Sequence, residues 1–141
     1  MIKIKPYTEG DKSELFSFLR GEGNTWSCYY NYEAEYSQVL ADCIVYVALI
    51  NSRIVGYIRC RKHGIFDLYV YDLLVAKDWR GRGLGKSLIE TAAAVVDQPR
   101  TDIYMLSDED GYYEKQRFEH IGSIFRFTTE NKNQVSYSNL I

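Results

Sequence analysis

A mixed α/β fold, one sheet with helices on its faces, is predicted by three observations. β-rich runs at 43–50, 53–60 and 65–75 are separated by short turns around Asn51-Ser52 and His63-Gly64. Segments with helical apolar spacing lie before and after those runs. The third run passes directly into a glycine-dense loop, Gly81, Gly83 and Gly85, and then into an amphipathic segment. Strand, loop and helix follow one another there, while the two short turns make the preceding runs an antiparallel meander.

The elements follow in order. Ile2 and Ile4 alternate with Lys3 and Lys5, which predicts a short strand with one buried face. Asp11 or Ser13 can cap a helix carrying Leu15, Phe16, Phe18 and Leu19 that ends near Gly21 and Gly23. Between Asn24 and Leu40 the aromatics are dense, and Tyr32, Tyr36 and Val39 keep the spacing of a helix packing its rings onto a sheet. The same segment also offers rings for a substrate pocket. Gly56, inside the second strand of the meander, marks a bulge, a tight crossing or plain packing. After the loop, Leu88, Ile89, Ala92, Ala93, Val95 and Val96 continue a helix that stops before Pro99. A strand at 102–106, a short helix at 112–118 and strands at 121–127 and 134–141 close the chain. The order is β, α, α, β, β, β, α, β, α, β, β in a single domain, 1–141.

Composition narrows the function. With 46% apolar and 26% charged residues the chain suits a globular core rather than disorder. A formal net charge of −2, from 17 basic and 19 acidic residues, provides no electrostatic footprint for nucleic acid or a membrane surface. Cys28, Cys43 and Cys60 are scattered, outside metal or redox spacings, so no metal is expected and reduced thiols fit a cytoplasmic location. The first residues have no signal-peptide core, and no run reaches the length of a membrane span.

The glycine loop is the chemical feature. Alternating glycines at a helix N-terminus clear side chains from unpaired backbone N–H groups, which can then converge on a phosphate. A dinucleotide-binding fingerprint starting at Gly81 needs a glycine where Lys86 stands, and a P-loop ending at Gly85 needs one where Arg80 stands. Both fail. The pattern that fits is R-x-x-G-x-G, filled by Arg80, Gly83 and Gly85.

With DLLVAKDWRGRGLGKSLIE at 72–90 and YYEKQRF at 112–118, the sequence resembles the GNAT superfamily of acyl-CoA-dependent N-acetyltransferases over nearly its whole length in element order. The first segment looks like the family's coenzyme A signature, the second like its aromatic-Tyr-Glu-Lys-x-Gly-Phe segment. The resemblance implies acetyl-CoA or coenzyme A as co-substrate, its pyrophosphate on the loop from Gly81 and Arg82 through Gly83 and Gly85 to Lys86 and Ser87. Lys86 can equally be a solvated helix charge, and Arg80 can pin either the loop or a phosphate. The resemblance further implies that the backbone of Leu73 and Val75 holds the pantetheine and thioester oxygen, and that Tyr113 is the acid for the leaving thiolate. A tyrosine, protonated near neutral pH, suits that role.

Two departures from the family pattern stand out. Tyr69 and Tyr71 occupy positions where relatives carry a glutamate base, and Asp72, on a regular strand, faces the other side of the sheet unless a bulge turns it. Asp72 is therefore read as structural, and the base as water or one of Asp67, Glu22, Glu33 and Glu35. Arg117 stands where the family has glycine, so the helix ending there is strained or reshaped. Trp26, Tyr29, Tyr30, Tyr69 and Tyr71 are the candidate lining of the amine-acceptor site. The acceptor is a small-molecule or protein primary amine, with a homodimer left open. The expected activity is acetyl transfer from acetyl-CoA by direct attack in a ternary complex. The alternatives are an acyl-CoA sensor that does not turn its ligand over and, more weakly, a nucleotide-binding module.

Overall fold

The structure, a computed structural model, describes residues 1–96, 101–106 and 109–128. They fall into two compact units, divided between Leu106 and Ser107.

The first unit is a five-stranded sheet in the order β1-β2-β3-β4-β5, built from β1 (Lys3–Pro6), β2 (Ile44–Ile50), β3 (Arg53–His63), β4 (Asp67–Val75) and β5 (Asp102–Met105). The first four are antiparallel, the predicted meander with one strand added, and β5 joins β4 in parallel. Helix α1 (Lys12–Gly21) and the short helices α2 (Ser27–Tyr30) and α3 (Glu33–Ala41) cover one face of the sheet, and α4 (Leu84–Val95) covers the other.

Each face has its own apolar cluster, because successive side chains of a strand alternate between them. On one, Leu15, Phe16 and Leu19 of α1 and Tyr36 and Leu40 of α3 pack against Val45, Val47, Ile54, Tyr57 and Leu74. On the other, Leu84, Leu88 and Ala92, one turn apart along α4, pack against Ala48, Ile58, Cys60, Leu68 and Val70.

Several local expectations need correction. Asp11 is the N-cap residue of α1, but its carboxylate makes no cap bond into the helix and instead accepts from Thr8 N–H at 2.8 Å and from Lys5. The aromatic segment divides into a 3-10 turn (Asn24–Trp26), α2 and α3, and the residues that α3 buries are Tyr36 and Leu40, four apart. Tyr32 and Val39 are exposed. β3 runs three residues beyond the expected end at Cys60, its last three residues pairing with Asp67–Tyr69. Gly56 is a close crossing: a Cβ there would lie 3.2 Å from both the Leu74 carbonyl oxygen and Leu88 Cδ1.

The second unit contains α5 (Asp110–Lys115), shorter than the predicted 112–118. The strand expected over 121–127 is not formed. Its backbone has no ladder partner among the described residues, and Ile121, Ile124, Phe125 and Phe127 are exposed. The expected partner strand, 134–141, lies outside the described residues.

Candidate functional site

The site begins where β4 stops being an ordinary strand. Pairing with β5 runs from Asp67↔Asp102 to Val70↔Met105, with Leu106 N–H donating to the Val70 carbonyl at 3.3 Å. Among the described residues nothing continues that ladder along Tyr71–Val75. On the β3 side the register jumps: Arg59 opposes Asp72 while Cys60 opposes Val70, so Tyr71 is the extra residue of a bulge.

The bulge reverses the strand's alternation. Ala76 N–H donates to the Val55 carbonyl on β3 at 2.8 Å, so the backbone groups of Val75 and Leu73 point away from β3, towards the edge that β5 has left. Before the bulge it is Val70 that points to that edge. Leu73 and Val75 pack their side chains on the α4 face, Leu74 on the other.

After Val75 the chain turns through Ala76–Trp79 into the glycine loop. Arg80 Nε donates to the Val75 carbonyl at 2.8 Å, and its Nη2 lies 3.5 Å from Glu22 Oε2. That guanidinium pins the loop to the strand. Gly81 and Gly83 have φ of +74° and +83°, and a Cβ at either would meet no atom of the described residues within 4 Å. Gly83 is the N-cap of α4, and Ser87 N–H already donates to its carbonyl at 3.0 Å. The helix N-terminus therefore presents the N–H groups of Leu84, Gly85 and Lys86, and Ser87 has its hydroxyl to add. Arg82 lies over the Trp79 ring at 4.7 Å, while Lys86 pairs with Glu90 at 3.7 Å on the exposed side of the helix.

On the opposite face the structure gathers a cluster that sequence reasoning missed. Arg59 and Asp72, each 7% exposed, form an ion pair with Nε 2.6 Å from Oδ2. Tyr36 donates to Asp72 Oδ2 at 2.9 Å and Tyr29 to Oδ1 at 3.1 Å, while the Tyr36 and Tyr57 hydroxyls share a hydrogen bond of 2.9 Å. The guanidinium carbon lies 5.1 Å from the centre of the Tyr71 ring, 5.5 Å from Tyr36 and 5.7 Å from Tyr29. Burial, and then the Asp72 charge, push the Tyr29 hydroxyl up to about 12 and hold Tyr36 and Tyr57 well above the ordinary tyrosine value. All three stay protonated donors at neutral pH. The signal was present: β3 and β4 each carry one charge inside an apolar run, and adjacent strands of a meander can pair them.

The bulge also decides where Asp72 stands. It lies on the face of Tyr29, Tyr36 and Tyr71, not the opposite one, and its two oxygens accept three hydrogen bonds. Tyr69 and Tyr71, 38% and 39% exposed, tilt against each other at 6.3 Å, and Tyr69 meets Tyr104 at 5.3 Å. Trp26 packs on Tyr29 and Tyr57, Tyr29 stacks on Tyr36 at 4.0 Å, and the Tyr30 hydroxyl reaches Asn24 Oδ1 at 3.5 Å. Of the other carboxylates weighed as base, Glu22, Glu33 and Asp67 each have a cationic or imidazole partner: Arg80, Arg20 and His63.

Tyr113 lies on α5, in the second unit. Its ring packs against Tyr112 at 5.1 Å and Phe118 at 5.4 Å. The helix ends through Arg117 at φ +64°, with Phe118 N–H donating to the Tyr113 carbonyl (2.9 Å) and Arg117 N–H to that of Glu114 (3.0 Å). This is a Schellman ending, with the Phe118–Tyr113 contact such endings make. Of the two endings open to Arg117, the chain adopts the strained one. Among the described residues no group of His, Cys, Asp and Glu is arranged to hold a metal, and no helix is long and apolar enough to cross a membrane.

The fold recurs among known proteins. The chain resembles a GNAT-family acetyltransferase from Streptococcus pneumoniae (22% identity, covering 89% of this chain and 98% of that one, TM-score 0.68). It is also similar to a ribosomal-protein-alanine N-acetyltransferase from Brucella melitensis (18%, 90% and 100%, 0.67) and to an aminoglycoside acetyltransferase from an uncultured soil sample (20%, 91% and 97%, 0.70). These likenesses speak for the fold. No curated protein sequence matches the chain. The family model described as an acetyltransferase (GNAT) domain matches residues 41–120, more than half of the chain, and the chain belongs to that family, whose members use acetyl-CoA as co-substrate.

Proposed function

We propose that the protein is an N-acetyltransferase that moves an acetyl group from acetyl-CoA to a primary amine by direct attack. The observation that carries this reading is the continuity of β4 with the glycine loop. Among the described residues, backbone groups of Leu73 and Val75 turn to an edge without a ladder partner, and after the glycine loop the N–H groups of Leu84–Lys86 stand unpaired at a helix start. Pantetheine is a chain of amides that can extend such an edge, and pyrophosphate suits such a helix start. Arg80, Gly81, Arg82, Gly83 and Gly85 shape the loop, with Lys86 and Ser87 adding contacts at its helix end.

In the reaction the lone pair of a neutral amine forms the new N–C bond on the thioester carbonyl. The oxyanion that develops is held by backbone N–H of the β4 edge. As the C–S bond breaks, the thiolate takes the proton of the Tyr113 hydroxyl, and the phenolate recovers one from solvent. The amine's own proton leaves through water, a choice supported by the commitment of Asp72 to Arg59, Tyr36 and Tyr29. The acceptor lies against Tyr69 and Tyr71, with Trp26, Tyr29 and Tyr30 behind. The fold's relatives acetylate ribosomal-protein alanine and aminoglycosides, so either a protein or a small molecule fits.

Acetyl-CoA consumption against a panel of amines tests this. Turnover with at least one amine is expected, and Tyr113→Phe should lower kcat by about 100-fold while coenzyme affinity stays within about twofold. Tight coenzyme binding without turnover of any amine points instead to the sensor. Preference for a nucleotide without the pantetheine arm sinks both.

A further inference from the structure

We infer that Arg59 is a positioning residue whose guanidinium holds the β4 bulge, and through it the Leu73 and Val75 backbone, in place. The inference rests on the acetyl-CoA reading above and goes beyond it by naming the side chain that holds the bulged strand. A regular strand sends alternate residues to opposite edges, so continuing from Val70 without interruption would turn Asp72 and Leu74 to the edge that β5 leaves. The extra residue Tyr71 substitutes Leu73 and Val75. It also puts Tyr71 and Asp72, neighbours in sequence, on one face of the sheet.

One side chain grips both. Arg59 Nε binds Asp72 Oδ2 at 2.6 Å, and the guanidinium carbon lies 5.1 Å from the centre of the Tyr71 ring. Arg59 is also the residue directly opposite Asp72 in the ladder, at the register jump itself. Tyr29 and Tyr36, from α2 and α3, close over the pair and complete the Asp72 hydrogen bonds. An ion pair this buried, if its only task were stability, could be replaced by apolar residues of similar volume at little cost. A pair that fixes register cannot be exchanged in that way, because nothing apolar prefers the bulged arrangement over the regular one.

Arg59→Met/Asp72→Leu separates the two roles. The double variant is expected to keep a cooperative unfolding transition near that of the wild type, since no charge is left buried alone, Tyr36 keeps Tyr57 as partner, and Tyr29 is only half buried. Backbone amide NMR during acetyl-CoA titration then reads the edge. In the wild type the amides of Leu84–Lys86 and those of Leu73 and Val75 are all expected to shift. In the double variant the Leu84–Lys86 shifts persist with similar affinity, the Leu73 and Val75 shifts vanish or pass to Asp72→Leu and Leu74, and kcat falls by about 100-fold. Unchanged Leu73 and Val75 shifts together with unchanged kcat overturn the inference. If wild-type amides at Leu84–Lys86 fail to respond at all, the coenzyme reading falls first and takes this one with it. Should the double variant not fold, Arg59→Lys carries the test: it keeps the charge opposite Asp72 but loses the guanidinium placed over the Tyr71 ring, and the Leu73 shift should shrink while the loop shifts stay. An Arg59→Lys protein identical to the wild type in both overturns the inference.

Discussion

The glycine loop and the tyrosine face of β4 are joined by one strand and built on opposite terms. In the loop, among the described residues, a Cβ at Gly81 or Gly83 would meet no atom within 4 Å, and the unpaired groups are backbone N–H. On the tyrosine face Arg59, Asp72, Tyr36 and Tyr57 bury their polar atoms in a network in which each has a partner. Among the described residues the loop is left open, and the face is closed on itself. Damage to the first should therefore appear in ligand binding, and removal of a single hydrogen-bonding partner from the second in folding.

The largest effect expected from this contrast is that of Gly83→Val. A branched side chain at φ +83° costs the fold about 1–2 kcal/mol, because the left-handed region crowds Cβ against the following carbonyl. In the empty space before α4 the same side chain stands where a phosphate would approach. Coenzyme affinity should drop by at least about 100-fold, or about 2.7 kcal/mol, while the cooperative unfolding transition survives. Calorimetric titration with coenzyme A beside thermal unfolding checks both halves. Normal coenzyme affinity in a folded Gly83→Val protein removes the loop from the ligand site.

The same contrast explains what could be read in the sequence. Gly81, Gly83 and Gly85 report a backbone requirement that is local, so their spacing carries the loop, and the alternation of 43–75 carries the meander. Arg59 and Asp72 are 13 positions apart, and their pairing depends on a register jump that no local pattern announces. Whether Asp72 faced Tyr71 or the opposite side turned on that one extra residue. The split of the aromatic segment into α2 and α3 escaped for a similar reason. Tyr36 is buried by its bonds to Asp72 and Tyr57, which are tertiary, while Tyr32, on the same expected stripe, is exposed.

Tyr36→Phe tests the closed side and is expected to be intermediate in size. It removes one donor from Asp72 and the partner of the Tyr57 hydroxyl, which should cost about 1–3 kcal/mol of stability and leave coenzyme affinity within about twofold. Its pH dependence has a definite sign. Below about pH 10, the ordinary value for tyrosine, the phenols are protonated in both folded and unfolded chains and the contribution is whole. Above it the unfolded chain releases phenolic protons that the folded one retains, Tyr29 titrating at about 12 and Tyr36 and Tyr57 also being raised, so stability falls as pH rises from 10 to 12. Denaturant midpoints across that range should fall less steeply in Tyr36→Phe, which has one such group fewer. Equal slopes would mean that the three hydroxyls are not closed in as described.

The smallest effect sharpens the contrast most, because it separates positive φ from the need for glycine. Arg117 ends α5 at φ +64° with a full side chain, and Asn51 and Ser52 turn between β2 and β3 at +49° and +66°. This chain therefore accepts non-glycine residues in left-handed positions where nothing has to approach the backbone. At Arg117 the cost is strain alone, and the Schellman hydrogen bonds together with the Phe118–Tyr113 contact outweigh it. Arg117→Gly should relieve about 1 kcal/mol and slow hydrogen exchange at the Arg117 and Phe118 amides by about fivefold, with coenzyme affinity unchanged. If those amides exchange no more slowly, left-handed strain in this chain is negligible, and a loss of binding in Gly83→Val then belongs wholly to the obstructed ligand. If they do slow, the same strain must be subtracted at Gly83 before the remainder is assigned to the phosphate.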